Sequence, residues 1–100
     1  MRMANPLRVS KAFSDKNRIK ILEMLSESDM KVGDVAEALN VEENLASHHL
    51  RVLASLGFLK NNKKGREVFY KINKARFVSL IRDLMRHDVF KEILSESLKG

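Results

Sequence analysis

The sequence has no cysteine and no tryptophan, and only one proline in 100 residues. Without cysteine there can be no disulfide bond, no thiolate metal site and no cysteine nucleophile. Long apolar runs are also missing, because the most apolar stretch, residues 77–81, is far shorter than the roughly 20 residues that span a bilayer. Residues 1–6 lack the apolar block of a signal peptide. We therefore expect a cytoplasmic protein that does not contact a membrane.

The composition is that of one small folded domain. Hydrophobic residues make up 44% of the chain and charged residues 32%, which is typical of neither disordered nor fibrous proteins. A chain of 100 residues has no room for a second core. We expect a single domain over residues 1–100.

The positive charge is concentrated in one segment. The chain has 19 basic and 13 acidic residues and a net charge of +6. Residues 58–76 contain seven basic residues and one acidic residue, so they account for the whole net charge, and the flanking segments are balanced. Such a segment indicates a polyanionic partner, most often nucleic acid. The alternative is a solvated basic loop.

Capping residues and apolar spacing predict helices in the first half of the chain. Asn5 and Pro6 predict the start of a helix that runs to about Phe13, and Asp15 caps a second helix. The second helix has an apolar stripe made of Ile19, Leu22 and Leu25, and Ile21 lies beside this stripe.

A third and a fourth helix follow each other with a very short turn between them. The third has apolar residues at the spacing of one buried face: Val32, Val35, Ala36 and Leu39. Asn40 readily takes the left-handed conformation that ends a helix, Val41 can enter the core, and the next helix begins at Glu42 or Glu43. Helices joined so closely cross steeply, which is the helix-turn-helix arrangement.

The fourth helix has two different faces. At about 100° per residue, the core side holds Ala46, His49, Leu50 and Leu53. The opposite side holds only side chains that form hydrogen bonds: Asn44, Ser47, His48, Arg51 and Ser55. Such a face is suited to reading base edges in the major groove. An ordinary solvated face remains the alternative, and His49 is interpreted as a hydrogen-bonded structural residue.

After Gly57 the pattern changes from helix to strand. Two predicted strands, Phe58–Asn62 and Glu67–Ile72, flank a turn formed by Lys63, Lys64, Gly65 and Arg66. Gly65 supplies the positive φ that a tight turn needs. The cations of this hairpin can bind phosphates or enter the adjacent minor groove.

The last predicted helix begins at about Lys74 and is unusually apolar. Its stripe contains Phe77, Leu80, Ile81, Leu84, Met85, Phe90, Ile93, Leu94 and Leu98. A 100-residue domain has little core to cover so much apolar surface, which favours a dimer. The alternative is that this helix folds back over its own domain.

In these features residues 15–72 resemble the arsenic-repressor (ArsR/SmtB) family of winged-helix regulators. The resemblance is carried by Asp15–Leu22, Val32–Leu39, Ala46–Leu53 and Gly65–Ile72. It implies a mainly α fold with a small β-hairpin: four helices, two strands and a fifth helix in a winged helix-turn-helix. It also implies a homodimer through the first and last helices, a recognition helix beginning near Glu43, and repression at a palindromic DNA operator. The candidate DNA-binding residues are Glu43, Asn44, Ser47, His48, Arg51, Lys63, Lys64 and Arg66.

Two departures from the family pattern concern metal binding and Glu43. Where many members carry a metal-sensing cysteine pair, this chain has Lys31 and Gly33, which excludes that mode. Asp83 and His87 on the last helix supply two zinc ligands at best, so we expect no metal or other cofactor, with a zinc-responsive repressor as the alternative. Glu43 replaces the polar residue frequent at this position. It acts as a local cap or, facing DNA, accepts from cytosine N4.

Two further classes of function fit the sequence less well. A winged-helix module that binds proteins requires an apolar patch on the outward side of the fourth helix, and the predicted face has none. An enzyme requires a nucleophile, a base and an orienting group at a workable spacing, and no such set is visible. We therefore do not expect catalysis.

Overall fold

The computed structural model describes residues 6–86 and, beyond them, residues 88, 92, 95 and 96. Within this part the chain forms α1 (Pro6–Phe13), α2 (Lys16–Glu27), β1 (Met30–Lys31), α3 (Val32–Leu39), α4 (Glu43–Ser55), β2 (Leu59–Lys64), β3 (Glu67–Ile72) and α5 (Lys74–Leu84). The five predicted helices and the two predicted strands occur in the predicted order, and a further short strand, β1, precedes α3. The predicted cap Asn5 and the far apolar residues of the last helix lie outside the described residues: Phe90, Ile93, Leu94 and Leu98.

Local signals explain where the helices begin and end. The Asp15 carboxylate caps α2 by accepting hydrogen bonds from the backbone N–H groups of Asn17, at 2.8 Å, and Arg18, at 3.2 Å. Asn40 ends α3 in the left-handed conformation, with φ of 55°, as predicted. The apolar stripe of α2 differs from the prediction, because Ile21 is fully buried with Leu22 and Leu25, whereas Ile19 packs half-buried at the edge of the core.

The sheet has one strand more than the predicted hairpin. Its order is β1-β3-β2, and both pairings are antiparallel. In β1, Met30 pairs with Tyr70 and Lys31 with Phe69. The predicted four-residue turn is wrong, because Lys63 and Lys64 continue β2 opposite β3. Only Gly65 and Arg66 remain between the strands, and Gly65 has the predicted positive φ, at 64°.

The core lies where α2, α3, α4 and the start of the sheet meet. Its largest fully buried side chains are Phe58, Ile21, Leu50, Leu53 and Val35. The Phe58 ring makes edge-to-face contacts with Phe13 of α1 and Phe77 of α5, with centroids 5.2 and 5.3 Å apart. These contacts attach the first and last described helices to the chain that follows α4. Within the described residues, no helix is both long and apolar enough to cross a bilayer.

Candidate nucleic-acid interface

The turn between α3 and α4 holds the two helices close together at their starts. After Asn40, the backbone N–H of Val41 donates to the Ala36 carbonyl at 3.0 Å, which turns the chain sharply. A Cβ atom at Gly33 would lie 3.1 Å from Glu43 Oε1, so the glycine lets this carboxylate rest against the first turn of α3. Glu42 occupies the N-cap position of α4 but forms no side-chain cap hydrogen bond.

The two faces of α4 are arranged as the sequence predicts. Its buried residues are Ala46, His49, Leu50 and Leu53. Asn44, His48 and Arg51 are exposed, and Ser47 is half-buried. In the described part of the chain, the side chains of Asn44, Ser47 and Arg51 form no hydrogen bond or ion pair. Their donors and acceptors are therefore available to a ligand along one side of the helix.

His49, on the buried face of α4, connects this helix to α2. The ring is only 4% exposed, and its Nδ1 accepts a hydrogen bond from Arg18 Nε on α2 at 3.1 Å. Burial lowers the pKa of His49, the Asp15 charge opposes this, and the charges of Arg18 and His48 add to it. A neutral ring that accepts at Nδ1 carries its proton on Nε2. The inward orientation predicted for His49 is thus accompanied by a specific partner, which fixes α4 against α2.

The hairpin presents its cations on two faces. Lys63 pairs with Val68 and Lys64 with Glu67, and because successive residues of a strand alternate, the two lysine side chains leave opposite faces of the hairpin. Lys64 Nζ lies 5.1 Å from the centre of the Phe69 ring. Arg66 is exposed in the two-residue turn. The three predicted phosphate-binding residues therefore share the end of the hairpin but not one face.

One cleft connects the start of α4 with the hairpin. It has a volume of about 330 Å³ and is lined by Lys31, Val32, Gly33, Asp34, Glu43, Glu67 and Val68. An ion pair crosses from β1 to β3, with 2.6 Å between Lys31 Nζ and Glu67 Oε2. The hydrogen bond and charge of Glu67 raise the pKa of Lys31. Glu43 thus lies beside the hairpin, at the end of α4 where the predicted reading face begins.

Leu45 is a residue that sequence reasoning did not include. It lies in the first turn of α4 and is 43% exposed. On a helical wheel it falls about 60° beyond His48, at the edge of the polar face. In the sequence, Leu45 could have been identified as a large apolar residue at the edge of an otherwise polar helix face.

The described residues contain no group of three histidine, cysteine, aspartate or glutamate side chains that could hold a metal ion. Lys31, at one position of the family's cysteine pair, is engaged by Glu67. Asp83 of the alternative zinc site lies 3.9 Å from Arg86, measured between Oδ1 and Nη1. His87, its predicted partner, lies outside the described residues.

Known proteins share both the sequence and the fold. The model of the family described as "Bacterial regulatory protein, arsR family" matches residues 15–61. The transcriptional repressor SdpR of Bacillus subtilis is 40% identical over 65 residues, which cover 65% of this chain and 72% of SdpR. These relatives are transcriptional regulators, not enzymes.

Solved structures extend the likeness to most of the chain. An ArsR-like transcriptional regulator from Rhodococcus sp. RHA1 has a TM-score of 0.70 and 28% identity, covering 94% of this chain and 89% of that one. The homodimeric winged helix-turn-helix DNA-binding domain of Mb0332 from Mycobacterium bovis, a possible ArsR-family regulator, has a TM-score of 0.64 and 27% identity. It covers 82% of this chain and 79% of that one. The predicted resemblance is confirmed, and the protein belongs to the arsR family of bacterial transcriptional regulators.

Proposed function

We propose that this protein is a repressor that binds a palindromic operator in double-stranded DNA as a homodimer. Asn44, Ser47, His48 and Arg51 enter the major groove and read base edges, with Glu43 at the start of the same helix. The cations at the end of the hairpin hold phosphates: Lys63, Lys64 and Arg66. Residues 1–100 act as a single winged helix-turn-helix domain.

The observation that carries the proposal is the exposed polar face of α4 beside a basic hairpin. Asn44 and Arg51 are exposed without a hydrogen bond or ion pair to another described residue. The start of α4 and the hairpin border the same cleft, so the two elements approach a ligand together. A surface built to bind a protein would place apolar side chains along this face instead.

Apolar surface on α5 supports the dimer. Val78, in α5, is 52% exposed, and Met85, at the C-cap of α5, is 41% exposed. Both are apolar residues of the helix that is predicted to dimerise. A second copy would remove these side chains from water. We place the contact between the first and last helices of the two subunits. The homodimeric state of the Mb0332 domain supports a dimer for this chain.

We propose that release from DNA does not use a cysteine-based metal site, because the sequence has no cysteine. Lys31 and Gly33 stand where the family's cysteine pair would be, and neither binds a soft metal. No metal or cofactor is required for the binding surface described above.

Selection from a random duplex library tests the proposal. We expect inverted repeats whose half-sites lie about 10 base pairs apart, the spacing at which two recognition helices meet one side of the duplex. Three phosphate-binding cations per subunit predict that log affinity falls with log salt at a slope of about −5 for the dimer. Sedimentation of the complex should show two chains per duplex. Recovery of unrelated sequences, or affinity that is indifferent to salt, would contradict the proposal.

A further inference from the structure

Leu45 is exposed on the helix that the proposed function places in the major groove. The other two leucines of α4, Leu50 and Leu53, lie on its buried face and are fully buried. Leu45 is 43% exposed and does not belong to the apolar core or to the residues packed against it. From this position we infer that Leu45 recognises the 5-methyl group of a thymine.

The position of Leu45 on α4 gives it access to the groove. It lies in the first turn, between Asn44 and Ser47 in sequence, and one helical turn before His48. Residues of the N-terminal half of a recognition helix are the ones that contact base edges. Leu45 therefore lies beside the polar face in the first turn of α4, at the edge opposite Ser47.

Thymine is the base that an apolar side chain can distinguish at this depth. In the major groove it alone presents a methyl group, and the other bases present hydrogen-bond donors and acceptors. Asn44, His48 and Arg51 can read those polar groups, but they gain little from a methyl. Leu45 supplies the complementary contact, so the reading face distinguishes thymine from cytosine at one position in each half-site.

The inference rests on the proposed function and is tested on an operator obtained by the selection described above. Each thymine is replaced in turn by deoxyuridine, which removes only the methyl group and keeps base pairing and backbone intact. Burial of one methyl is worth about 0.8 kcal/mol, so wild-type protein should lose affinity about four-fold per half-site at one thymine. Leu45→Ala should bind the thymine and deoxyuridine duplexes equally at that position, while Leu45→Met, which keeps an apolar side chain, should restore the difference.

Val68→Ala is the matched control, because Val68 is an apolar residue of similar exposure, 38%, on the hairpin. It should leave the dependence on that methyl unchanged. Leu45→Ala should unfold close to the temperature of the wild type, since Leu45 belongs neither to the core nor to the residues packed against it. If wild type and Leu45→Ala respond alike to every deoxyuridine while binding stays sequence-selective, the role of Leu45 is overturned and the proposed function stands. If binding is not sequence-selective at all, both are overturned.

Discussion

The hydrogen bond between Arg18 and His49 makes the stability of the fold sensitive to acid. In the folded protein, His49 is buried and its Nδ1 accepts from Arg18 Nε at 3.1 Å. A proton on Nδ1 removes the acceptor and places two positive charges in contact. Burial, the largest influence, lowers the pKa of His49, and the charge of Arg18 acts in the same direction against that of Asp15. The unfolded chain, in which the ring is hydrated, binds the proton more readily.

The sign and the size of the effect follow from this difference. The pKa of His49 in the folded protein is below its unfolded value of about 6.5. The contribution of the neutral ring to the free energy of unfolding is therefore fully present above about pH 6.5 and is lost as the pH falls through the folded pKa. One proton limits the slope to about 1.4 kcal/mol per pH unit. A hydrogen bond to a charged group contributes about 1.5–3 kcal/mol, which is a large share of the roughly 5–15 kcal/mol that holds a small domain folded.

Urea unfolding followed by circular dichroism, between about pH 8 and pH 5, measures this loss. In His49→Gln the amide oxygen can still accept from Arg18, but the side chain does not titrate, so we expect a flatter profile than that of the wild type. His48→Gln is the matched comparison: His48 is exposed and its charge is the smallest of the influences on the His49 pKa, so its replacement should flatten the profile less than His49→Gln does. Parallel profiles for wild type and His49→Gln, or equal flattening by His48→Gln, would refute the reasoning.

Three further predictions concern the hairpin, the turn and the core. Lys64→Ala should weaken binding to all DNA sequences and flatten the log–log salt dependence by about one unit per subunit, whereas Lys20→Ala, which removes an exposed lysine of α2, should not; salt titration of binding distinguishes them. Asn40→Gly should be neutral or stabilising and Asn40→Ala destabilising by about 1 kcal/mol, because φ is 55° there; thermal unfolding of the two variants gives the comparison. Phe58→Ala should cost about 3–5 kcal/mol in urea unfolding, since the ring is fully buried between two others, and a loss below about 1 kcal/mol would contradict the described packing.

Helix boundaries were predictable where a local signal exists. The limits of α3 and the start of α4 agree with the sequence prediction because apolar spacing and Asn40 act within a few residues. The inward orientation of His49 follows from the helical period alone. Its partner does not, because Arg18 lies 31 residues away and the pairing depends on how α2 packs against α4.

The sheet was predicted less completely because its strands depend on each other. A strand of two residues, Met30 and Lys31, has no period to detect and exists because β3 lies beside it. Lys63 and Lys64 were assigned to the turn because their composition is typical of loops, yet the pairing continues through them. Their separation onto two faces is a consequence of that register.

In the proposed dimer, the contact of Phe58 with Phe13 and Phe77 would fix the distance between the two helices that we assign to the major groove. Phe58 follows α4 after a short turn, and its ring is wedged against one ring from each helix that we assign to the subunit contact. In the proposed dimer, the distance between the two-fold axis and the helix in the major groove would therefore vary little. Inserting about 5 base pairs at the centre of an operator would rotate one half-site to the far side of the duplex. If the proposed dimer is correct, the spacing of the half-sites therefore depends on three phenylalanines that lie away from the proposed DNA-binding face.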